Sequence, residues 1–176
     1  MADRWQPAFL ACVLYSGGAE LRSDEARIRR EKGRLSCILE FDGACKGNPG
    51  KSGAGVVVRR SDGSVIAQLR EGLGIATNNA AEYRALLLGL RYAAKKGFKY
   101  VRAQGDSKLV CNQVQDLWRV RNDNMADLCK KVKELKGNFL QFQINHVLRE
   151  FNADADAQAN FAVELPGMES FTESIL

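Results

Sequence analysis

Apolar positions along the chain change their period several times, and each change predicts an element. Leu35 to Phe41 is an apolar run closed by Asp42, Ala54 to Arg60 contains three consecutive valines, and Val65 to Leu73 alternates less cleanly. These read as three strands, with Ser61-Asp62-Gly63 as a tight turn between the last two, so an antiparallel meander opens the fold. Val56, Val57 and Val58 in succession predict a strand covered on both faces. The period then becomes helical. Thr77-Asn78-Asn79 supplies cap residues, and Ala80 to Lys96 carries Ala81, Ala85, Leu88 and Tyr92 on one face with no proline to interrupt them. Gly97 ends this helix.

Lys99 to Gln104 predicts a strand parallel to the first, because a helical crossover precedes it. Gly105-Asp106-Ser107 turns into a helix over Lys108 to Leu117, a polar connection with two arginines runs from Trp118 to Asn124, and a lysine-rich helix covers Met125 to Lys136. Phe139 to Val147 alternates Leu140, Phe142 and Ile144 with Gln141, Gln143 and Asn145, a fifth strand. A last helix, rich in alanine, starts at Asn152 and ends near Pro166. The order βββαβααβα is a mixed α/β fold, a five-stranded sheet of three antiparallel strands extended by two parallel ones, with flanking helices. Residues 1–34 lack a clear period and are expected to form a flexible arm, with a short helix over Asp24 to Lys32. Residues 35–165 form the domain, and 166–176 are expected to be a disordered tail.

Composition narrows the chemistry. A chain of 176 residues with 45% hydrophobic content closes one core. Its net charge of +5 suits a polyanionic partner. The five cysteines are odd in number and contain no Cys-x-x-Cys pair, which points to a reducing compartment and to neither a disulfide framework nor a zinc site. His146 is the only histidine, so any metal is expected to be held by oxygen. No apolar run approaches the ~20 residues of a membrane span, so no membrane partner is expected. Nucleus or cytoplasm is the expected setting, with mitochondrion or chloroplast as the alternative suggested by the arginines of residues 22–34; secretion is not expected.

Four acids fall at positions that the topology brings together. Asp42 ends the first strand, Asp106 ends the fourth, Glu82 lies in the first turn of the long helix, and Asp156 in the first turn of the last one. Each alone has an ordinary reading, since acids favour helix N-termini and Asp favours turns. Together they occupy the carboxyl edge of the parallel strands, where open α/β sheets bind ligands. Hard oxygen ligands without histidine or cysteine suit Mg²⁺ or Mn²⁺. Two such ions would activate a water on one side of a phosphodiester and stabilise the leaving oxygen on the other.

Phe41-Asp42-Gly43 with Asn48-Pro49-Gly50, Thr77-Asn78-Asn79-Ala80-Ala81-Glu82, Gly105-Asp106-Ser107, and Asn152-Ala153-Asp154-Ala155-Asp156 resemble the four motifs of type 1 ribonuclease H, in order and in spacing. The stretch Val147 to Asn152 is similar to plant members of that superfamily. The resemblance covers about residues 35–165. It implies the ribonuclease H-like fold and hydrolysis of the RNA strand of RNA/DNA hybrids. It also implies two Mg²⁺ ions, replaceable by Mn²⁺, on Asp42, Glu82, Asp106 and Asp156, with Asp154 an exposed neighbour. It further implies 2′-hydroxyl recognition by Asn48, Asn78 and the backbone of Gly43, Ala44 and Cys45, with Thr77 and Asn79 near the DNA strand. His146 matches a histidine that assists metal release or proton transfer in several members. By strand parity with Leu140, Phe142 and Ile144 it instead faces the core, and both readings stand. Ile75 occupies a position where animal members carry an arginine that grips DNA phosphate. A monomer without a small-molecule cofactor is expected. The competing reading is a catalytically inert nucleic-acid binding module of the same fold, against which four mutually repelling acids weigh.

Overall fold

A computed structural model describes residues 25–166 and 170–174. The chain divides into two units, residues 1–34 and 35–176. In the first, residues 25–34 form a helix, α1, whose residues are all exposed. The part of the expected arm before residue 25 lies outside the described residues.

The second unit is built on a six-stranded sheet in the order β5-β4-β1-β2-β3-β6. Strands β1 (Ser36–Gly47), β2 (Gly50–Arg59) and β3 (Val65–Ala76) form the antiparallel meander. β4 (Tyr100–Gly105) lies parallel to β1, and β5 (Gln141–His146) lies parallel to β4. Two features depart from expectation. β1 does not leave the sheet at Asp42: its ladder with β2 continues to the pair Gly47 and Gly50, because residues 42–47 still find backbone partners across the hairpin. And the sheet has six strands, not five. β6 (Ser170–Ser174) pairs antiparallel with β3, covering an edge whose N–H and C=O groups would otherwise lie open. Residues 166–176 were expected to be disordered because an edge strand with exposed Thr172 and Glu173 leaves no apolar pattern to read.

The helices start on short polar caps. Thr77 caps α2 (Asn78–Lys95) by accepting from the Ala80 N–H at 3.3 Å, and Asn122 caps α4 (Asp123–Lys136) by accepting from the Met125 N–H at 3.2 Å. Ser107 plays the same part for α3 (Lys108–Val114). At the far end of α2, the Gly97 and Phe98 N–H groups return to the carbonyls of Ala94 and Ala93, closing the helix. The last helix, α5 (Ala153–Val163), has Asn152 at its start but no side-chain cap.

The sheet's two faces are unequal. On one, Leu39, Phe41, Val56, Val58 and Leu69 pack with Leu86, Leu87 and Leu90 of α2, Val110 and Val114 of α3, and Cys129 and Val132 of α4. On the other lies α5, whose Ala155, Ala159 and Ala162 approach Gly53 and Gly55 of β2. Val56, Val57 and Val58 are all fully buried, as a central strand covered on both faces requires.

Candidate active site

The site lies where β4 runs out beside β1. Their last paired residues are Glu40 and Gln104, so Asp42 and Asp106, each two residues further on, come level at the carboxyl end of the parallel pair. Glu82 reaches this point because α2 sits unusually close to β1. A Cβ on Gly43 would lie 2.3 Å from the Glu82 nitrogen and 2.4 Å from the Ala81 carbonyl carbon, so glycine is what permits the approach. Asp42, Glu82 and Asp106 each present a carboxylate oxygen within 4.8 Å of the others'.

Asp156 arrives from the opposite face on α5. That helix is seated by a second close approach, since a Cβ on Gly55 would lie 2.1 Å from the Ala159 nitrogen. Asp156 lines the same cavity of about 270 Å³ as the other three, together with Gly43, Ala44, Cys45 and Asn78. It stands outside the three-carboxylate cluster. Its Oδ1 accepts from Arg149 Nη2 at 2.6 Å and its Oδ2 from Asn160 Nδ2 at 2.9 Å.

Burial and neighbouring charge govern the protonation of Asp42 and Glu82. Burial, and then the charges of Asp106 and Asp156, push the Asp42 carboxyl up to about 8. Burial, and then the charges of Asp42 and Asp106, push Glu82 up to about 9. Glu82 Oε2 is buried with no hydrogen-bond partner. A buried acceptor without a donor, beside two further carboxylates, fits a divalent cation, which would favour the ionised forms that the bare site disfavours.

Asn152 ties the site together. It is 1% exposed, and its Nδ2 donates to the Phe41 carbonyl at 3.0 Å and to Asp106 Oδ1 at 3.3 Å. The side chain that would cap α5 is thus committed to β1 and to one of the acids. The sequence gives no site role to Asn160, nor to Arg149 and Asn152, although the latter two fall within the motif stretches. Asn152 carried a signal, its place at a helix start four residues before Asp156, but that position reads as an ordinary cap.

The remaining expected residues separate. Asn48 Oδ1 accepts from the Asn78 N–H at 3.2 Å, joining the β1–β2 turn to the start of α2 at the cavity's rim. Thr77 is exposed and serves as the α2 cap. Asn79 faces a second cavity of about 540 Å³, lined also by Gln113, Trp118, Arg119, Arg121 and Asn122. Ile75 is 75% exposed. His146 ends β5 opposite Gly105 and is exposed, so its packing reading is corrected: the burial of Ile144 does not continue past the point where the strand stops. Leu140, counted on the same buried face, is 74% exposed. Among the described residues no helix is long and apolar enough to cross a membrane.

Residues 40–162 match a family model described as reverse transcriptase-like. The chain is 40% identical over 124 residues to a ribonuclease HI of Halobacterium salinarum, an alignment covering 70% of this chain and 62% of that protein. It spans 36% of the length of each of three mycobacterial relatives to which it is 37% identical. Among solved structures, the RNase H1 of Halobacterium salinarum superposes with a TM-score of 0.72 at 38% identity, covering 73% of this chain and 98% of that one. LC11-RNase H1, solved in complex with an RNA/DNA hybrid, superposes with a TM-score of 0.70 at 30% identity, covering 73% of this chain and 96% of that one.

Proposed function

Because the chain belongs to the ribonuclease H family, we propose that it is an endonuclease hydrolysing the RNA strand of RNA/DNA hybrids with two divalent ions, Mg²⁺ or Mn²⁺. The observation that carries this reading is the cluster of Asp42, Glu82 and Asp106, whose oxygens lie within 4.8 Å of one another. Asp42, Glu82 and Asp106 would hold the ions, and Asp156 would join them once released from Arg149. Bound there, the ions supply a nucleophilic water and neutralise charge on the leaving oxygen.

The chain's own residues do the rest. Asn48 and Asn78, already joined at the rim, meet 2′-hydroxyls, and the Gly43, Ala44 and Cys45 backbone lies along the cavity wall for the same strand. The two strands of a hybrid take different paths. The first turn of α2 stands between them, with Asn78 on the acidic cavity and Asn79 on the one containing Trp118, Arg119 and Arg121. The second cavity suits a DNA backbone, with guanidinium groups for phosphate and an indole for stacking on sugar or base. Thr77, exposed at the start of α2 with its hydroxyl serving as the cap, and Asn79 would contact the DNA strand. His146, exposed next to the β4 end, would accept or return a proton through solvent.

The test is strand and context selectivity. With Mg²⁺, labelled RNA should be cut in an RNA/DNA hybrid and left intact as single strand and as RNA duplex, and the hybrid's DNA strand should survive. Equal cleavage of RNA in all three contexts would contradict the reading.

A further inference from the structure

A polar layer lies one register below the acids. Glu40, Gln104 and Asp154 each precede a site acid, Asp42, Asp106 and Asp156, by two residues. On a strand this spacing returns to the same face, so Glu40 lies under Asp42 on β1, and Gln104 pairs beside Glu40 just before β4 ends and gives way to Asp106. Three of these elements are joined through one side chain and its partner. Arg59 Nε donates to Glu40 Oε2 at 2.9 Å, its Nη2 donates to Asp154 Oδ2, and its Nη1 donates to the Gly63 carbonyl at 3.2 Å. Gln104 Nε2 donates to the other Glu40 oxygen, Oε1, at 3.3 Å. Arg59 and Glu40 are largely buried.

We propose that Arg59 is a positioning residue, holding β1, β4 and α5 in register through Glu40, Gln104 and Asp154 so that Asp42, Asp106 and Asp156 stay matched. The proposal rests on the reading of the site given above. Its force comes from how α5 is seated. Alanines on glycines bring two backbones together but offer no protruding side chain to fix the helix's rotation. Residues two apart on a helix point about 200° from each other. Pinning Asp154 toward β2 therefore sets the direction in which Asp156 projects. Arg70 anchors a later turn of α5 by donating to Gln158, Asn152 ties the helix start to β1, and Arg59 holds the first turn from the β2 side through Asp154. A guanidinium suits this post, since its fixed fork addresses three acceptors at once and stays charged.

The test uses two variants, Asp154→Ala and the pair Glu40→Gln/Arg59→Met, the latter designed to leave no unpaired buried charge. Cooperative melting and unchanged circular dichroism establish folding. Expected for the pair is a roughly 10- to 100-fold fall in kcat with KM for hybrid within about two-fold, and a Mn²⁺ affinity by calorimetry weaker by a similar factor. Asp154→Ala should move both quantities in the same direction by less, and adding it to the pair should cost nothing further, because Arg59 is already absent. If the pair fails to fold, Asp154→Ala decides alone, its side chain being 66% exposed and outside the core. A folded variant with unchanged kcat and Mn²⁺ affinity would overturn the proposal, as would full additivity of Asp154→Ala with the pair. Failure of the wild type to cut hybrid would sink the functional reading instead, and the calorimetric comparison would still judge the positioning role.

Discussion

At the scale of single residues, the fold favours the protonated forms of Asp42 and Glu82, whereas holding a cation needs them ionised. Asp42 and Glu82 are raised by burial and by neighbouring charge to about 8 and about 9. Their unfolded values lie near ~4. Between those limits the folded protein binds more protons than the unfolded one, so this contribution is fully present below ~4 and is lost as pH rises through about 8 and 9. In chelator, Asp42→Asn should therefore melt increasingly above wild type as pH goes from 5 to 9, and Mg²⁺ should narrow the gap by stabilising the wild type. A gap that stays constant or shrinks with pH in chelator would show that the two carboxyls are not so coupled. The positions of these acids were legible in the sequence, because each closes an apolar run or opens a helix. Their protonation was not, since it depends on distances between residues as far apart as Asp42 and Asp156. The same holds for Arg149 and Asn160, whose roles exist only relative to Asp156, and for the contact with Arg59 that Asp154, exposed as its sequence position implies, also makes.

Among elements, the deciding contacts are those where a helix backbone rests on strand glycines, α2 on Gly43 and α5 on Gly53 and Gly55. Gly55→Ala would put a methyl 2.1 Å from the Ala159 nitrogen and 2.6 Å from the Ala155 carbonyl oxygen, neither of which can rotate away. Overpacking of this kind costs about 1–3 kcal/mol. The variant should melt lower and, with α5 displaced, cut hybrid at least ~10-fold more slowly, the scale expected when a reacting group shifts by a fraction of an ångström. Wild-type melting and turnover in Gly55→Ala would mean that α5 has slack at this contact. Helix starts were readable from Thr77 and Ser107 because the cap residue itself makes the bond, whereas α4 starts at Asp123 on Asn122, inside the stretch read as a polar connection. Strand ends were not. Asp42-Gly43 reads as the exit from β1, yet the ladder runs on to Gly47, since backbone pairing across a hairpin does not depend on which side chains it carries. β6 is invisible to apolar patterning for a related reason: its pairing with β3 is made by the backbone, and Thr172 and Glu173 are exposed.

For the whole molecule, the net charge of +5 has to coexist with a pocket of acids, and the structure separates the two. Acids gather at the β1–β4 edge, while Arg119 and Arg121 line the cavity beyond the first turn of α2. If that second cavity takes the DNA strand, Arg119→Ala/Arg121→Ala should raise KM for hybrid with little change in kcat. It should also reduce the slope of log affinity against log salt by ~1 for each phosphate no longer neutralised. An unchanged salt slope would place the DNA strand elsewhere. The general architecture followed from the order of periods along the chain, because a helical crossover between strands leaves few arrangements of the sheet. Which cavity lies beside which acid did not, being a matter of how α2 and α3 pack.

The most direct test of the central claim is to incubate a labelled RNA/DNA hybrid with wild type and with Asp42→Asn, in Mg²⁺ and in chelator, and to measure cutting and hybrid binding side by side. Cutting by wild type in Mg²⁺ alone, with Asp42→Asn inert yet binding hybrid at least as tightly through its reduced negative charge, is the predicted result. Folded wild type that binds hybrid in Mg²⁺ without cutting it, or cutting that persists in Asp42→Asn, would contradict the account, the former in favour of a nucleic-acid binding module that keeps the fold without the chemistry.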